Sequence, residues 1–183
     1  MPRGRMKWEV SAGAVLAFAL LYFFDGGGIL AALAPAVAAH ELGHVLALRL
    51  WGHRLRRVSI GAFGLRMEYI GVLEKTETVI CAAAGPLAGL VYALALCRFG
   101  GVWQRSGAFS LLLSGFNALP VLPLDGGRIV EALVGERAAC QISRWAAALL
   151  TLGGGALALR FRTPALLAAG VWLLAANFRG ERC

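Results

Sequence analysis

Acidic side chains are scarce in this chain: its 183 residues hold two Asp and eight Glu against 18 Lys and Arg, giving a net charge of +8. Charge of either sign is scarce too. Only 15% of residues are charged and 59% are hydrophobic, with a mean hydropathy of +0.71, whereas a soluble domain is about a quarter charged and about half apolar. A water-exposed globule is excluded on that ground, because the surplus apolar area needs lipid. Cys81, Cys97, Cys140 and Cys183 show no C-x-x-C spacing and no disulfide-framework pattern, so they read as small core or lipid-facing residues and leave the redox compartment open. There is no 20 to 50 residue repeat and no low-complexity linker, and the length suits one domain over residues 1–183. The basic residues sit at the ends of apolar runs without interleaved aromatics, which excludes nucleic acid as a partner and fits membrane anchors.

What is present is a series of apolar segments. Trp8 to Phe24 is the first; Arg3, Arg5 and Lys7 precede it like a signal peptide, but no soluble mature domain follows, so it reads as a retained membrane helix. Asp25-Gly26-Gly27-Gly28 breaks the run. Ile29 to Trp51 is the second segment, with Pro35 a candidate kink. His53 to Lys75 changes texture. Its glycine-spaced, partly alternating stretch from Val58 to Tyr69 reads as a β-hairpin or two short strands at the membrane surface. Thr78 to Cys97 is a third segment, free of charges, in which Gly85-Pro86-Leu87-Ala88-Gly89 permits a close helix crossing. Ser106 to Leu124 is a fourth, and Pro120 and Pro123 forbid a regular helix at its end. A polar connection from Gly126 to Arg144, a fifth segment from Trp145 to Leu159 weakened by Gly153, Gly154 and Gly155, and a short sixth from Pro164 to Phe178 complete the chain. The fold class is therefore an all-α polytopic membrane protein of about six transmembrane helices, with a short β insertion between helices 2 and 3. With the N-terminus inside, only Arg98, Arg105, Arg160 and Arg162 of the 18 Lys and Arg fall outside, which places both termini and the Asp125 loop on the cytoplasmic side.

Within the second segment lies His40-Glu41-Leu42-Gly43-His44. Residues i and i+4 share a helix face, so His40 and His44 can reach one metal ion. Glu41 projects about 100° around the helix, where it can touch water at the metal without being a ligand. With three His and eight Glu in the chain, random placement produces H-E-x-x-H only about 0.002 times per chain. A catalytic zinc takes three protein ligands. His53, at the basic end of the segment, reads as an interfacial residue more readily than as the third ligand. Asp25 lies in the loop at the far end. Asp125 follows the broken fourth segment, and from spacing alone it fits a turn cap before Gly-Gly as well as it fits a ligand. Asn117 fits either an interhelical hydrogen bond or a donor to a substrate carbonyl or oxyanion. Glu68, Glu74 and Glu77 read as surface charges near the hairpin, with Glu68 a weak alternative ligand.

H-E-L-G-H in one membrane segment and N-A-L-P-V-L-P-L-D-G-G in a later one together resemble the site-2 protease family of intramembrane zinc metalloproteases. L-P-L-D-G-G-R and the short layout are most similar to its sporulation branch, the stage IV sporulation FB proteins. The resemblance implies a catalytic core over about residues 29–128 and one Zn2+ held by His40, His44 and Asp125. It also implies Glu41 as general base and Asn117 assisting the substrate or oxyanion. It further implies a bacterial inner-membrane protein that cleaves a membrane-embedded or membrane-tethered substrate, such as a pro-sigma factor, under an inhibitory membrane partner. Two departures stand out: Gly89 occupies a position that is often polar in the family, and the branch's C-terminal nucleotide-sensing CBS domain is not expected here. Two other readings follow from the same residues. A metal transporter would use His40, His44 and Asp125 as a permeation site but gives Glu41 no role, and an inactive zinc-stabilised scaffold would bind metal without hydrolysis.

Overall fold

The computed structural model describes residues 7–23, 25–61, 64–96, 98–162 and 165–179. Arg3, Arg5, Cys97, Cys183 and the Ala62-Phe63 tip of the expected hairpin lie outside them. Elements follow in the order β1 Lys7–Val10, α1 Ala12–Phe23, α2 Ile29–Leu50, β2 Arg54–Gly61, β3 Gly64–Ile70, α3 Lys75–Leu96, α4 Val102–Asn117, α5 Asp125–Val134, α6 Glu136–Phe161 and α7 Ala165–Arg179.

Three of the described helices are long and apolar enough to cross a membrane: α2, α3 and α6 over Glu136–Arg160. Length and composition thus mark three spans among the described residues, where six are expected from the sequence. The first apolar run divides, because Lys7-Trp8-Glu9-Val10 alternates polar and apolar residues and joins the sheet. The 12-residue α1 that remains is about 18 Å long against a hydrocarbon core of roughly 30 Å. α4 has 16 residues and α7 has 15, both short of a full span. Conversely, the stretch expected as a polar connection is helical. It comprises α5 and the first turns of α6, which continues unbroken through Gly153, Gly154 and Gly155. α2 likewise runs through Pro35 without interruption.

The β insertion exists but has three strands in the order β1-β2-β3. β2 and β3 form the expected antiparallel pair, and β1 adds in parallel from the N-terminal side. Trp8 is paired with Val58 and Val58 with Met67. Same-register neighbours point to the same face, so these three make one apolar row across the sheet. Ala47 and Leu48 of α2 and Cys81 of α3 form a buried cluster with Leu55 and Leu73, which seats the sheet end on the α2–α3 pair.

Small residues set the helix crossings. A Cβ on Gly43 would overlap the Ala84 carbonyl and stand 2.6 Å from Ala88 Cβ, so the α2 and α3 backbones touch. On α4, Ser106, Ser110 and Ser114 recur every fourth residue and are all buried. Ser110 Oγ donates to the Gly89 carbonyl at 2.8 Å, and Ser106 Oγ meets Tyr92 Oη at 2.9 Å. Gly89 thus serves a close α3–α4 contact, and a side chain there would strike Ser114 Oγ.

Candidate active site

The second apolar segment folds as a helix that carries His40 and His44 on its inward face. Asp125 opens α5 after the α4 helix has been broken by two prolines. The structure brings these three side chains together. His40 Nε2 and His44 Nε2 each stand 3.2 Å from Asp125 Oδ2 and 3.3 Å from one another. Among the described residues they are the one group of three or more His, Cys, Asp or Glu placed to share a metal ion. His40 is 4% and Asp125 8% exposed.

The triangle has the dimensions of a zinc site. Donors at 2.0–2.1 Å from a tetrahedral zinc stand about 3.3–3.4 Å apart. The hydrogen bonding agrees. His44 Nδ1 donates to the Cys81 carbonyl at 2.7 Å, which fixes the tautomer that leaves the Nε2 lone pair pointing at Asp125. Asp125 Oδ2 is buried and, among the described residues, has no hydrogen-bond donor. A buried carboxylate oxygen facing two imidazole nitrogens is costly unless a cation or a proton sits between them. The donor set of two imidazoles and one carboxylate is one that zinc accepts.

Glycines let the elements close on this point. A Cβ on Gly85 would overlap the His44 imidazole, standing 2.8 Å from Cδ2 and closer still to Nε2 and Cε1. The space over that ring therefore exists because residue 85 has no side chain. On α5, a Cβ on Gly126 would overlap the Ala118 and Leu119 carbonyls, and one on Gly127 would sit 2.5 Å from the Leu122 amide. Asp-Gly-Gly therefore permits the α5 N-terminus to lie directly on the loop from Ala118 to Leu124, with Asp125 at the contact. The sequence marks Gly85 and Gly89 as a crossing point; it does not mark Gly85 as the cover of the His44 ring.

Glu41 lies on a different side of α2. It lines a groove of about 250 Å3 between that helix and the sheet, together with Leu42 and Arg49 of α2 and the Trp8, Val58 and Met67 row. Arg49 is eight residues beyond Glu41, about 12 Å along the helix. The groove is thus mainly apolar, and one carboxylate and one guanidinium line it. Two of the three sheet strands, β1 and β3, are edges.

The other polar residues singled out in the sequence are placed elsewhere. Asn117 ends α4, half-buried, and its Nδ2 donates to its own helix at Leu113 O, 3.0 Å. It makes no hydrogen bond to the triad. His53 pairs with Glu77 at 3.1 Å, Glu68 lies 3.8 Å from Arg57, and Asp25 accepts from the Ile29 and Leu30 amides at 2.6 and 3.1 Å, capping α2. Those amide hydrogen bonds hold the Asp25 carboxyl below its ordinary range.

Comparison with known proteins gives the site a context. Residues 97–161, which include Asn117 and Asp125 but not His40 to His44, match the model of Peptidase family M50. The chain is 33% identical over 134 residues to the Mycobacterium tuberculosis protein Rip3, named as a zinc metalloprotease, which covers 65% of this chain and 34% of that protein. It is 32% identical over 117 residues to a Synechocystis protein named likewise, covering 56% and 30%, and 25% identical over 112 residues to a Methanocaldococcus jannaschii zinc metalloprotease, covering 56% and 33%. The chain thus spans about a third of the length of the curated relatives it matches. In three dimensions it is similar to a site-2 protease from Methanocaldococcus jannaschii, with a TM-score of 0.69 over 100% of this chain and 94% of that one. At 20% identity that likeness establishes a site-2 protease fold.

Proposed function

We propose that the protein is a zinc metalloprotease of the site-2 type that hydrolyses a peptide bond of a membrane-embedded or membrane-tethered protein. The observation that carries this reading is the triangle of His40, His44 and Asp125 donors at 3.2 to 3.3 Å, whose two imidazoles stand on the same helix as Glu41. These three residues would hold the zinc, which when bound supplies Lewis-acid polarisation of a carbonyl and a water of lowered pKa. Glu41 then accepts a proton from the attacking water and returns it to the departing amine. Asn117, which now donates one amide hydrogen to Leu113 O, has a second to offer a substrate carbonyl or oxyanion.

A substrate helix must unwind before it can react, because its carbonyls are already hydrogen-bonded. The groove beside Glu41 suits the unwound form. An extended segment added to a sheet edge gains main-chain hydrogen bonds, and its alternate side chains reach the apolar row of Trp8, Val58 and Met67. The finer proposals are a cytoplasmic mouth, supported by the Lys and Arg bias, and a pro-sigma-like substrate under an inhibitory partner, supported by the L-P-L-D-G-G-R likeness.

The test is reconstitution of the purified chain in proteoliposomes with a panel of tagged single-span membrane proteins, each also supplied as a soluble peptide. The expected result is cleavage of tethered substrates that stops when zinc is chelated. Zinc flux across the vesicle without cleavage would overturn the proposal in favour of a transporter. Proline substitutions in β1 and β3 that leave cleavage unchanged would remove the strand-addition step.

A further inference from the structure

The loop from Ala118 to Leu124, which carries Asp125 into the site, has few ways to satisfy its backbone. Pro120 and Pro123 have no N–H. Four of the remaining five amides bond to nearby carbonyls of the same segment: Ala118 to Ser114, Leu119 to Phe116, Val121 to Leu119 and Leu124 to Val121, at 2.8 to 3.2 Å. Leu122 is the exception. Its N–H donates to Ser143 Oγ of α6 at 2.8 Å, and its carbonyl accepts from Asn177 Nδ2 of α7 at 2.7 Å. Ser143 Oγ in turn donates to Asn177 Oδ1 at 2.5 Å, and Asn177 Nδ2 also donates to Leu173 O at 2.8 Å. Ser143 is 0% and Asn177 2% exposed, and Val121, Leu124, Ala147 and Leu173 of the same elements form one buried apolar cluster.

We propose that Ser143 and Asn177 are positioning residues for Asp125: a two-residue clamp from the C-terminal helix pair that fixes the ligand-bearing loop by both polar groups of Leu122. The inference rests on the metalloprotease reading, since it assigns Asp125 to the metal. Two further observations support it. The clamp is closed on itself, with the hydroxyl and the amide oriented by each other, so neither side chain is free to rotate away. In addition, Leu122 is held directly beneath α5, because the Gly127 backbone lies against the Leu122 amide. A shift of Leu122 therefore moves the first turn of α5 and Asp125 with it. Elsewhere in the lipid-facing part of a fold, two polar side chains buried this completely would be a needless cost. Here they satisfy the Leu122 N–H and carbonyl, which find no partner within the loop.

The experiment is zinc affinity of the full chain in detergent, by competition with a chromophoric chelator, together with the visible spectrum of the cobalt-substituted protein. Ser143→Ala and Asn177→Leu are each expected to weaken zinc binding by about tenfold or more, the scale of outer-shell changes, and to alter the cobalt bands. The double variant should be little worse than the worse single, as expected for one coupled unit. Ser143→Thr keeps the hydroxyl and should restore near wild-type binding. Gly170→Ala is the control for general loosening, because its methyl strikes Thr151 on α6 about two turns from the clamp. It should lower the unfolding temperature and leave zinc affinity unchanged. The proposal is overturned if Ser143→Ala and Asn177→Leu bind zinc like wild type, or if Gly170→Ala weakens zinc as much as they do. A wild-type chain that takes up no zinc overturns the metalloprotease reading itself, a different result from either.

Discussion

Replacing Gly85 with Ala adds one methyl group against the His44 ring, and the structure says where that methyl must go. It would overlap the imidazole, standing 2.8 Å from Cδ2 and closer still to Cε1 and Nε2, where ordinary contact begins at 3.4 Å. Relief requires a displacement on the order of 1 Å, either of the ring or of α3. A zinc ligand tolerates only about ±0.2 Å, so a swung His44 no longer binds properly. Moving α3 away instead opens the contact between Gly43 and Ala84, a packing change that costs about 1–3 kcal/mol. The expectation is a 10 to 100-fold loss of zinc affinity, by analogy with outer-shell changes of about that size, with a lowered unfolding temperature. Cleavage should fall about 100-fold, the scale of a 1 Å misplacement in a catalytic array. Gly115→Ala is the matched control: nothing lies within 4 Å of its Cβ, and Ala is the better helix former by about 1 kcal/mol. Zinc competition assays on both variants decide the matter. If Gly85→Ala binds zinc as tightly as wild type, the packing of α3 over His44 is not what this account requires.

Two shorter predictions concern single carboxylates. Asp125→Ala should weaken zinc by more than the roughly 10–100-fold of an outer-shell change, while helical circular dichroism is retained; zinc binding within that range would mean that Asp125 is not a ligand. Asp25 is held below its ordinary pKa by the Ile29 and Leu30 amides, so its contribution to stability is fully present above about pH 4, the unfolded value, and is lost as pH falls through the lower folded value. Asp25→Asn should therefore lose less stability than wild type on going from pH 5 to pH 2.5, read from thermal unfolding; equal losses would show that the cap carries no pH dependence.

The parts of this fold legible in the sequence are those governed by local pattern. H-E-x-x-H on an apolar helix has one geometric outcome, because i and i+4 share a face, and Pro120 and Pro123 end α4 as their missing amides demand. The Val58 to Tyr69 pair was visible through alternation and glycine spacing. β1 was not, because four alternating residues ahead of a long apolar run are swamped by it, and each pairs with a residue 50 positions later. α5 reads as polar connection in the sequence because Arg128 and Glu131 dilute the few apolar residues of a ten-residue helix. The Leu122 clamp was out of reach for a further reason. Ser143 and Asn177 carry no motif, and only the fold reveals that the backbone they satisfy belongs to a loop 21 and 55 residues earlier.

The central claim is that His40, His44 and Asp125 hold zinc while Glu41 moves the proton. Its most direct test is the cleavage rate of a membrane-tethered substrate by wild type and by Glu41→Gln, with zinc content measured on the same samples. The account predicts equal zinc in both and a rate lower by about 100-fold or more in Glu41→Gln, the contribution of a general base. Equal rates at equal zinc content would contradict it.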